Sequence, residues 1–168
     1  MLELWRRSLG FAPRRAGCSV TVYEGVDYDD LIERRMRQWY LHLLDTADPR
    51  LLPTADLASK AAVSIGEDSD WAVVALPDEA RRPLSVRLRG WLADAKVITP
   101  LEADHAVARM ASPYAKPGPR TPLAVFDGHS IRVTPRTGIV DSLIAVVDLG
   151  EDEYILDSSL LSTIPTTF

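Results

Sequence analysis

Residues 71–91 read WAVVALPDEARRPLSVRLRGW, and this stretch decides the predicted fold. Residues 71–76 form a short apolar run that is rich in aromatic and β-branched side chains, and a Pro-Asp pair at 77–78 interrupts it. Residues 84–89 then alternate between apolar and polar side chains. Such alternation is typical of a β-strand with one face on a core and the other in water. The stretch therefore predicts two strands on either side of a proline-marked corner.

The chain before this stretch has mainly helical patterning. Between residues 28 and 46, apolar side chains recur at spacings of three and four, as one buried face of a helix requires. These side chains are Leu31, Ile32, Met36, Trp39, Tyr40, Leu43 and Leu44. Asp27 or Asp29 can cap the start of this helix, and the Asp-Pro pair at 48–49 ends it.

Residues 54–60 allow two interpretations. Thr54 can cap a second, weaker helix, or the small residues that follow it can mark a loop. We favour the helix over these residues. It is followed by a strand that contains Val63 and Ile65, and a turn over residues 66–70 leads back into the opening stretch as a β-hairpin.

The chain after the opening stretch predicts further strands and one short helix. Pro100 and the carboxylates that follow it favour a helix over residues 100–111. The Asp-Gly pair at 127–128 predicts a tight turn that joins strands 123–126 and 129–133. We also predict a buried strand at residues 143–149 and a short strand or lead-in at residues 18–23. Asp157 or Ser158 can cap a final short helix.

Together these patterns predict an α+β protein. Its N-terminal helical part contains one long amphipathic helix, a small, mostly antiparallel β-sheet or sandwich follows, and extended arms form both ends. The predicted N-terminal arm with its lead-in strand spans residues 1–26, and the helical part spans residues 27–62. The β-rich part, with the short helix inserted near 100–111, spans residues 63–150, and the C-terminal arm spans residues 151–168.

Composition narrows the class of protein. The chain has 168 residues, 46% of them hydrophobic and 26% charged, which is enough for one folded domain. Its net charge of −5 argues against a wide nucleic-acid-binding surface, although an acidic wall suits a channel through which DNA slides. The single cysteine, Cys18, predicts a free thiol in a reducing compartment. We expect neither a signal peptide nor a membrane span, because no sufficiently long apolar run occurs.

The sequence contains no motif for catalysis or cofactor binding. His42, His105 and His129 lie neither four residues apart nor beside a cysteine at metal-ligand spacing. The nucleophile-elbow pattern and the glycine-rich phosphate loops are absent. We therefore predict that the protein is not an enzyme and has no catalytic residue, metal site or cofactor. The alternative is an enzyme with dispersed residues around Asp127, His129 and Ser130.

Five segments follow one another in an informative order. They are RQWY, LPD, RPLSVRLRGW, MASPY and TPLAV at residues 37–40, 76–78, 82–91, 110–114 and 121–125. This order resembles that of the head-to-tail adaptors of tailed bacteriophages and prophages, the neck-ring or tail-tube-A-like proteins. The resemblance covers residues 28–150. The chain departs from the family pattern at residues 79–80, where an aromatic or aliphatic residue is usual, and in its short C-terminal helical segment.

The resemblance implies a virion structural protein. It would form a ring of its own copies, a dodecamer, beneath the portal protein, and it would extend the DNA channel to the tail or to further neck proteins. Genomic DNA would pass through without sequence-specific binding, and no membrane would be involved. The protein would reside in the virion neck or tail, and in the host cytoplasm during assembly. The alternative is a small β-rich binding or assembly module of a bacterial mobile-element or secretion apparatus.

We assign contacts with other subunits or with the portal to the two arms and to exposed arginines. The assigned residues are Trp5, Arg6, Arg7, Arg34, Arg35, Arg87, Arg89, Ile164 and Phe168. The N-terminal arm either docks on a neighbour through Trp5 or is loosely held. Arg87 and Arg89 alternate with Val86 and Leu88, so both arginines should face away from the sheet's core. The alternative for the arginines is solvation or salt bridges.

Overall fold

The computed structural model describes residues 1–9, 28–66, 70–99, 102–104, 108, 116–150 and 153–165. The chain forms two compact units. The helical unit combines Met1–Pro53 with Leu149–Phe168, and the sheet unit is Thr54–Asp148. These units divide the chain differently from the predicted segments, because the C-terminal residues group with the N-terminal ones and residues 54–62 group with the sheet.

Two α-helices provide most of the buried side chains in the described N-terminal half of the helical unit. They are α1, Leu2–Ser8, and α2, Tyr28–Thr46. Buried side chains on α2 recur at spacings of three and four: Ile32, Met36, Trp39, Tyr40, Leu43 and Leu44. The shorter α1 contributes two buried side chains, Trp5 and Arg6.

Two 3-10 helices also belong to this unit, and an aspartate begins each of them. Pro49–Leu51 follows Asp48, whose carboxylate accepts a hydrogen bond from the N–H of Arg50 at 3.0 Å. Ser158–Thr163 follows Asp157, whose carboxylate accepts one from the N–H of Ser159 at 2.8 Å. These bonds satisfy backbone donors that a helix start leaves open. Of the two candidate caps for the final short helix, Asp157 is the one used.

The sheet unit contains one eight-stranded sheet with the order β1-β8-β4-β5-β6-β7-β3-β2. Neighbouring strands are antiparallel except β5 and β6, which are parallel. In chain order, β1 to β8 are Thr54–Asp56, Ala62–Ile65, Ala72–Ala75, Ala80–Leu88, Ala95–Ile98, Leu123–Phe126, Ser130–Thr134 and Val140–Val147. A 3-10 helix, Ala58–Lys60, lies between β1 and β2.

Strand β5 joins the two halves of the sheet. Its residues Ala95 and Lys96 pair with β4, whereas Val97 and Ile98 pair with β6. One buried apolar cluster includes side chains from both halves, so the sheet curls around a single core. The cluster contains Leu57, Ala72, Val74, Val86, Leu88, Trp91, Ala95, Ala124, Ile131, Val133, Leu143, Ala145 and Val147.

The predicted fold class is wrong. A single eight-stranded mixed sheet replaces the small, mostly antiparallel sheet or sandwich. Helical segments from both ends of the chain form the helical unit, in place of one long amphipathic helix with extended arms. The physical reason is burial. Trp5 and Leu160 lose their contact with water by packing within this unit, and short strands bury enough apolar area only when they share one core.

The prediction of a helix over residues 54–60 is also wrong. Residues 54–56 form β1, which pairs with β8, and only residues 58–60 form a turn of 3-10 helix. The Asp56 carboxylate accepts hydrogen bonds from the N–H groups of Leu143 at 2.9 Å and Ala58 at 3.0 Å. Pairing with a distant strand therefore overrides a weak local helical preference.

Both predicted hairpins are confirmed. Strand β2 pairs with β3 in antiparallel register, as does β6 with β7. Gly128 has a φ of 73°, which is the left-handed conformation that its turn requires. Residues 102–104 are helical within the predicted helix 100–111, whose other residues lie outside the described ones except 108. The predicted strand at residues 18–23 also lies outside them.

Candidate functional site

The predicted contact residues lie in two regions. Trp5, Arg6 and Arg7 are on α1, Arg34 and Arg35 are on α2, and Ile164 follows the last 3-10 helix, all in the helical unit. Arg87 and Arg89 are at the end of β4 in the sheet unit and immediately after it. Phe168 lies outside the described residues.

Helix α1 is docked on α2 by an aromatic contact. Trp5 is 1% exposed, and its ring meets that of Trp39 edge to face, with centroids 5.4 Å apart and planes at 75°. Edge-to-face geometry is favourable because the positive edge of one ring lies over the negative face of the other. Trp5 is therefore buried against α2 within its own unit.

A buried charge supports the same contact. Arg6 is 6% exposed and forms an ion pair with Asp29 at the start of α2. Glu3 provides a second carboxylate, 3.5 Å from the guanidinium group. A charge is buried at low cost only when it is paired in this way. Arg6 therefore serves the internal packing of the helical unit, whereas Arg7 and Arg34 are exposed.

The C-terminal segment packs in the same unit through polar atoms of two aromatic residues. The indole N–H of Trp39 donates to the carbonyl oxygen of Thr163 at 3.2 Å. The Tyr40 hydroxyl donates to the carbonyl of Ile155 at 3.2 Å and accepts from the N–H of the same residue at 3.3 Å. The Ser8 hydroxyl donates to the carbonyl of Pro165 at 2.9 Å, which connects α1 with the C-terminal segment.

These contacts surround a cavity of about 280 Å³, called here the tryptophan cavity. It is lined by Trp5, Leu9, Arg35, Gln38, Trp39, His42 and Pro165. Two of the predicted contact residues, Trp5 and Arg35, are thus brought together, and Ile164 is next in the chain to a third lining residue. The volume is at the lower end of the range for small-ligand pockets.

The sequence analysis did not identify most of the residues that line this cavity. A signal that could have found some of them is their spacing on α2: Arg35, Gln38, Trp39 and His42 lie at i, i+3, i+4 and i+7 and therefore share one helix face. The sequence alone interprets Trp39 as a core residue and His42 as a partly exposed helix residue. It provides no signal that α1 and the C-terminal segment meet this face.

The polar groups of the tryptophan cavity are mainly hydrogen-bond donors. The indole N–H of Trp5 is buried and has no hydrogen-bond partner among the described residues. Arg35 contributes a permanent positive charge, and Gln38 and His42 contribute further polar groups. None of the described residues that line the cavity carries a carboxylate.

The arginines of the sheet unit are exposed and form ion pairs. Val86 and Leu88 are buried while Arg87 and Arg89 are exposed, which confirms the predicted alternation. Arg87 lies 3.4 Å from Asp94 and Arg89 lies 3.2 Å from Asp141. Exposed pairs of this kind contribute little to stability.

The two edges of the sheet differ in how they are protected. Strand β1 has only three residues and follows Pro53, and both a short strand and a proline discourage pairing with another chain. Strand β2 reads Ala-Val-Ser-Ile, with neither charge nor proline. Its last residue, Ile65, is 47% exposed.

A small apolar patch adjoins the β2 edge. A Cβ placed on Gly138 would lie 3.9 Å from the Ile65 side chain, so these residues are neighbours. The next residue, Ile139, is 46% exposed. Among the described strands, only β3 pairs with β2, so the other side of β2 is an edge on which another strand can pair.

Asp56 has an unusually well satisfied carboxylate for an exposed residue. Its oxygens accept hydrogen bonds from the N–H groups of Leu143 and Ala58 and from the Ser142 hydroxyl. These bonds, led by the one from Leu143, hold the pKa of Asp56 below its ordinary value. They keep β1 in register with β8 and indicate a structural role.

Metal binding and membrane insertion have no supporting feature in the described part of the chain. No group of three or more His, Cys, Asp or Glu side chains is placed there to hold a metal ion. A search of the same residues finds no helix with the length and hydropathy that a membrane span requires. Neither a scan against protein-family models nor a search of curated proteins finds a match to this chain.

Proposed function

We propose that this chain is a virion structural protein, a head-to-tail adaptor that forms a ring beneath the portal and extends the DNA channel to the tail. The order of segments between residues 28 and 150 supports this proposal by its resemblance to that family. The net charge of −5 also supports it, because an acidic wall does not hold passing DNA. The role is mechanical, with no catalytic step.

The observation that carries the proposal is the β2 edge of the sheet, which has neither charge nor proline. A ring forms when one surface of each copy binds a different surface of the next, and the rotation closes. The β2 edge, which ends at the exposed Ile65, offers one such surface, whereas β1 has only three residues and directly follows Pro53. The difference between the two edges disfavours a symmetric pairing of β1 edges, and the test below distinguishes a ring from a symmetric pairing of β2 edges.

The proposed partners are copies of this chain in a dodecameric ring, the portal protein on one side, and the tail or further neck proteins on the other. Genomic DNA passes through the channel without sequence-specific binding. The protein acts in the virion neck or tail after assembly in the host cytoplasm. Arg7 and Arg34 are exposed, and we assign them to portal contact.

The test is the mass of the purified full chain in solution, measured by light scattering across a range of concentrations, together with electron microscopy of the sample. We expect self-association and ring-shaped particles. Ile65→Lys places a charge at the β2 edge and should weaken self-association roughly tenfold or more. Leu92→Lys is the matched control, because Leu92 is 71% exposed and lies between β4 and β5, which are in the middle of the strand order.

A compact monomer at every concentration, with no rings in the images, would overturn the adaptor proposal. Equal weakening by both lysine variants would show that charge alone, and not the β2 edge, governs association. The monomer result would support the second candidate, a small β-rich binding module of a mobile-element or secretion apparatus. The tryptophan cavity favours that candidate, since it is a concave, apolar site with a few polar groups.

A further inference from the structure

The β2 edge is too small to hold neighbouring copies together by itself. Its four residues, Ala62–Ile65, extend over about 13 Å as a strand. A stable protein interface buries roughly 1,600 Å² in total, which a four-residue edge does not provide. A ring that uses this edge therefore needs a second contact between copies.

The chain connection between the two units points to that second contact. The chain leaves the helical unit after Pro53, forms the whole sheet unit, and returns to the helical unit at Leu149. Residues 153–165, called here the C-terminal segment, then pack in the helical unit. The C-terminal segment is thus joined covalently to the sheet unit of its own chain, whereas its attachment to the rest of the helical unit is noncovalent.

The C-terminal segment is attached mainly through polar contacts and buries little. Leu160, at 8% exposed, is the buried side chain among its described residues. The backbone N–H of Asp157 donates to the carbonyl of Leu51 at 3.0 Å. Tyr154 meets Tyr40 edge to face, with ring centroids 5.0 Å apart. Attachment of this kind is typical of a contact between proteins, so the segment can detach while the sheet unit stays folded.

Detachment of the C-terminal segment leaves specific groups of α2 without partners. The Trp39 indole N–H loses its acceptor at Thr163, and the Tyr40 hydroxyl loses both hydrogen bonds with Ile155. Polar groups left unpaired and aromatic rings exposed to water are both unfavourable. The C-terminal segment of a second copy covers the same surface with identical contacts, because the two segments have the same sequence.

A glycine lies between the sheet unit and the C-terminal segment. Gly150 has a φ of 121°, and its carbonyl oxygen accepts a hydrogen bond from the Arg37 guanidinium group at 2.8 Å. Glycine adopts positive and negative φ at similar cost, so a rotation at this residue redirects the chain that follows it. Hinges are commonly such positions near the end of an element, and β8 ends at Val147.

We propose that in the ring the C-terminal segment of each copy docks on α1 and α2 of the next copy. This inference rests on the proposed ring and names its second contact. Exchange of an identical segment adds contact between copies without requiring a further exposed surface. Copies that already meet at the β2 edge hold each other's segments at a high effective concentration, which favours the exchange.

The experiment is disulfide trapping in the full-length chain, with Cys18→Ser to remove the natural thiol. Leu51→Cys and Asp157→Cys are combined in this chain, because the hydrogen bond between these residues brings their backbones close enough for a disulfide. After mild oxidation, we expect a ladder of covalent multimers longer than two copies on a denaturing gel without reductant. Electron microscopy of the same sample should show rings.

Controls separate specific trapping from chance encounters. Leu92→Cys with Asp157→Cys measures chance crosslinking, since Leu92 is 71% exposed and no hydrogen bond among the described residues joins it to the C-terminal segment. Ser8→Cys with Pro165→Cys is a second specific pair, because the Ser8 hydroxyl donates to the Pro165 carbonyl at 2.9 Å. This pair provides the answer if thermal unfolding shows that the loss of the Asp157 cap prevents folding.

Each outcome bears on the exchange and on the ring separately. An intrachain disulfide in intact rings would overturn the exchange and leave the proposed ring in place. Covalent multimers without ring particles would support exchange between copies and contradict the adaptor proposal, and an intrachain disulfide in a monomeric sample would overturn both. A ladder that stops at two copies, or one no longer than that of the Leu92 control, would also overturn the exchange, as would the absence of any disulfide.

Discussion

The sheet unit and the helical unit are stabilised by different kinds of core. The buried cluster of the sheet unit consists of aliphatic and small side chains with one aromatic residue, Trp91. The helical unit instead buries the rings of Trp5, Trp39 and Tyr40 together with the charged side chain of Arg6. The buried side chains of the sheet unit are thus mostly aliphatic, whereas several of those in the helical unit carry polar atoms.

This difference shows which interactions select the native packing in each unit. In the sheet, backbone hydrogen bonds follow the ladder, and many small apolar contacts share the stabilisation. In the helical unit, individual side-chain atoms connect segments that are distant in sequence, as when Trp39 donates to Thr163 and Tyr40 bonds to Ile155. Single substitutions should therefore have local and readily identified effects in the helical unit.

The largest effect that distinguishes the units is expected for Arg6→Ala. Removal of this buried guanidinium leaves the Asp29 carboxylate without its ion pair to α1, which should cost about 2–3 kcal/mol of unfolding free energy. Urea unfolding measures the loss, and hydrogen exchange should locate it in α1 and α2. Arg7→Ala is the control, because Arg7 is adjacent and exposed, and it should change stability by less than about 0.5 kcal/mol. An equal loss of hydrogen-exchange protection in the strands of the sheet unit would contradict the view that the two units are stabilised separately.

A smaller effect is expected for a matched pair of substitutions, Trp39→Phe and Trp91→Phe. Each removes an indole N–H that donates to a backbone carbonyl, that of Thr163 at 3.2 Å in the helical unit and that of Pro135 at 3.0 Å in the sheet unit. Each should cost about 1–2 kcal/mol. Hydrogen exchange should increase around residues 158–163 for Trp39→Phe and around residue 135 for Trp91→Phe. Identical exchange maps for the two variants would refute the view that the units are separately stabilised.

The smallest effect concerns pH. Because the folded-state pKa of Asp56 lies below its ordinary value of 3.8, the ionised carboxylate stabilises the fold above that value. This contribution is lost as the pH falls below about 4 and through the folded-state pKa. Asp56→Asn should therefore be less stable than wild type by about 1 kcal/mol or less at pH 7, with the difference shrinking as the pH falls through that window. Ser142→Ala, which removes one of the hydrogen bonds, should have a smaller effect of the same kind. An unchanged difference from pH 7 to pH 3 would contradict this account.

Local sequence patterns correctly predict structure where the interacting residues are close together in the chain. The Asp-Gly pair at 127–128 identifies the hairpin of β6 and β7, because only a few backbone conformations join strands so tightly. The period of two in residues 84–89 correctly separates buried Val86 and Leu88 from exposed neighbours. The spacing of apolar residues along α2 likewise identifies the buried side chains of that helix.

The same patterns do not identify which strands pair when those strands are distant in the chain. Strands β3 and β4 both come from residues 71–91, yet β5, β6 and β7 lie between them in the sheet. Each of these strands presents a similar apolar face, so composition does not distinguish one partner from another. Residues 54–56 have no strong preference of their own and become a strand only because β8 pairs with them.

The sequence by itself determined which residues avoid water and where the tight turns lie, since both depend on side-chain chemistry and short-range backbone geometry. Only the tertiary structure decided that Trp5, Arg35 and Pro165 share one cavity and that β2 is the last strand at one side of the sheet. The physical reason is that long-range contacts form from a competition among many apolar surfaces of similar free energy. The outcome of that competition is set by the packing of the whole unit and not by any one segment.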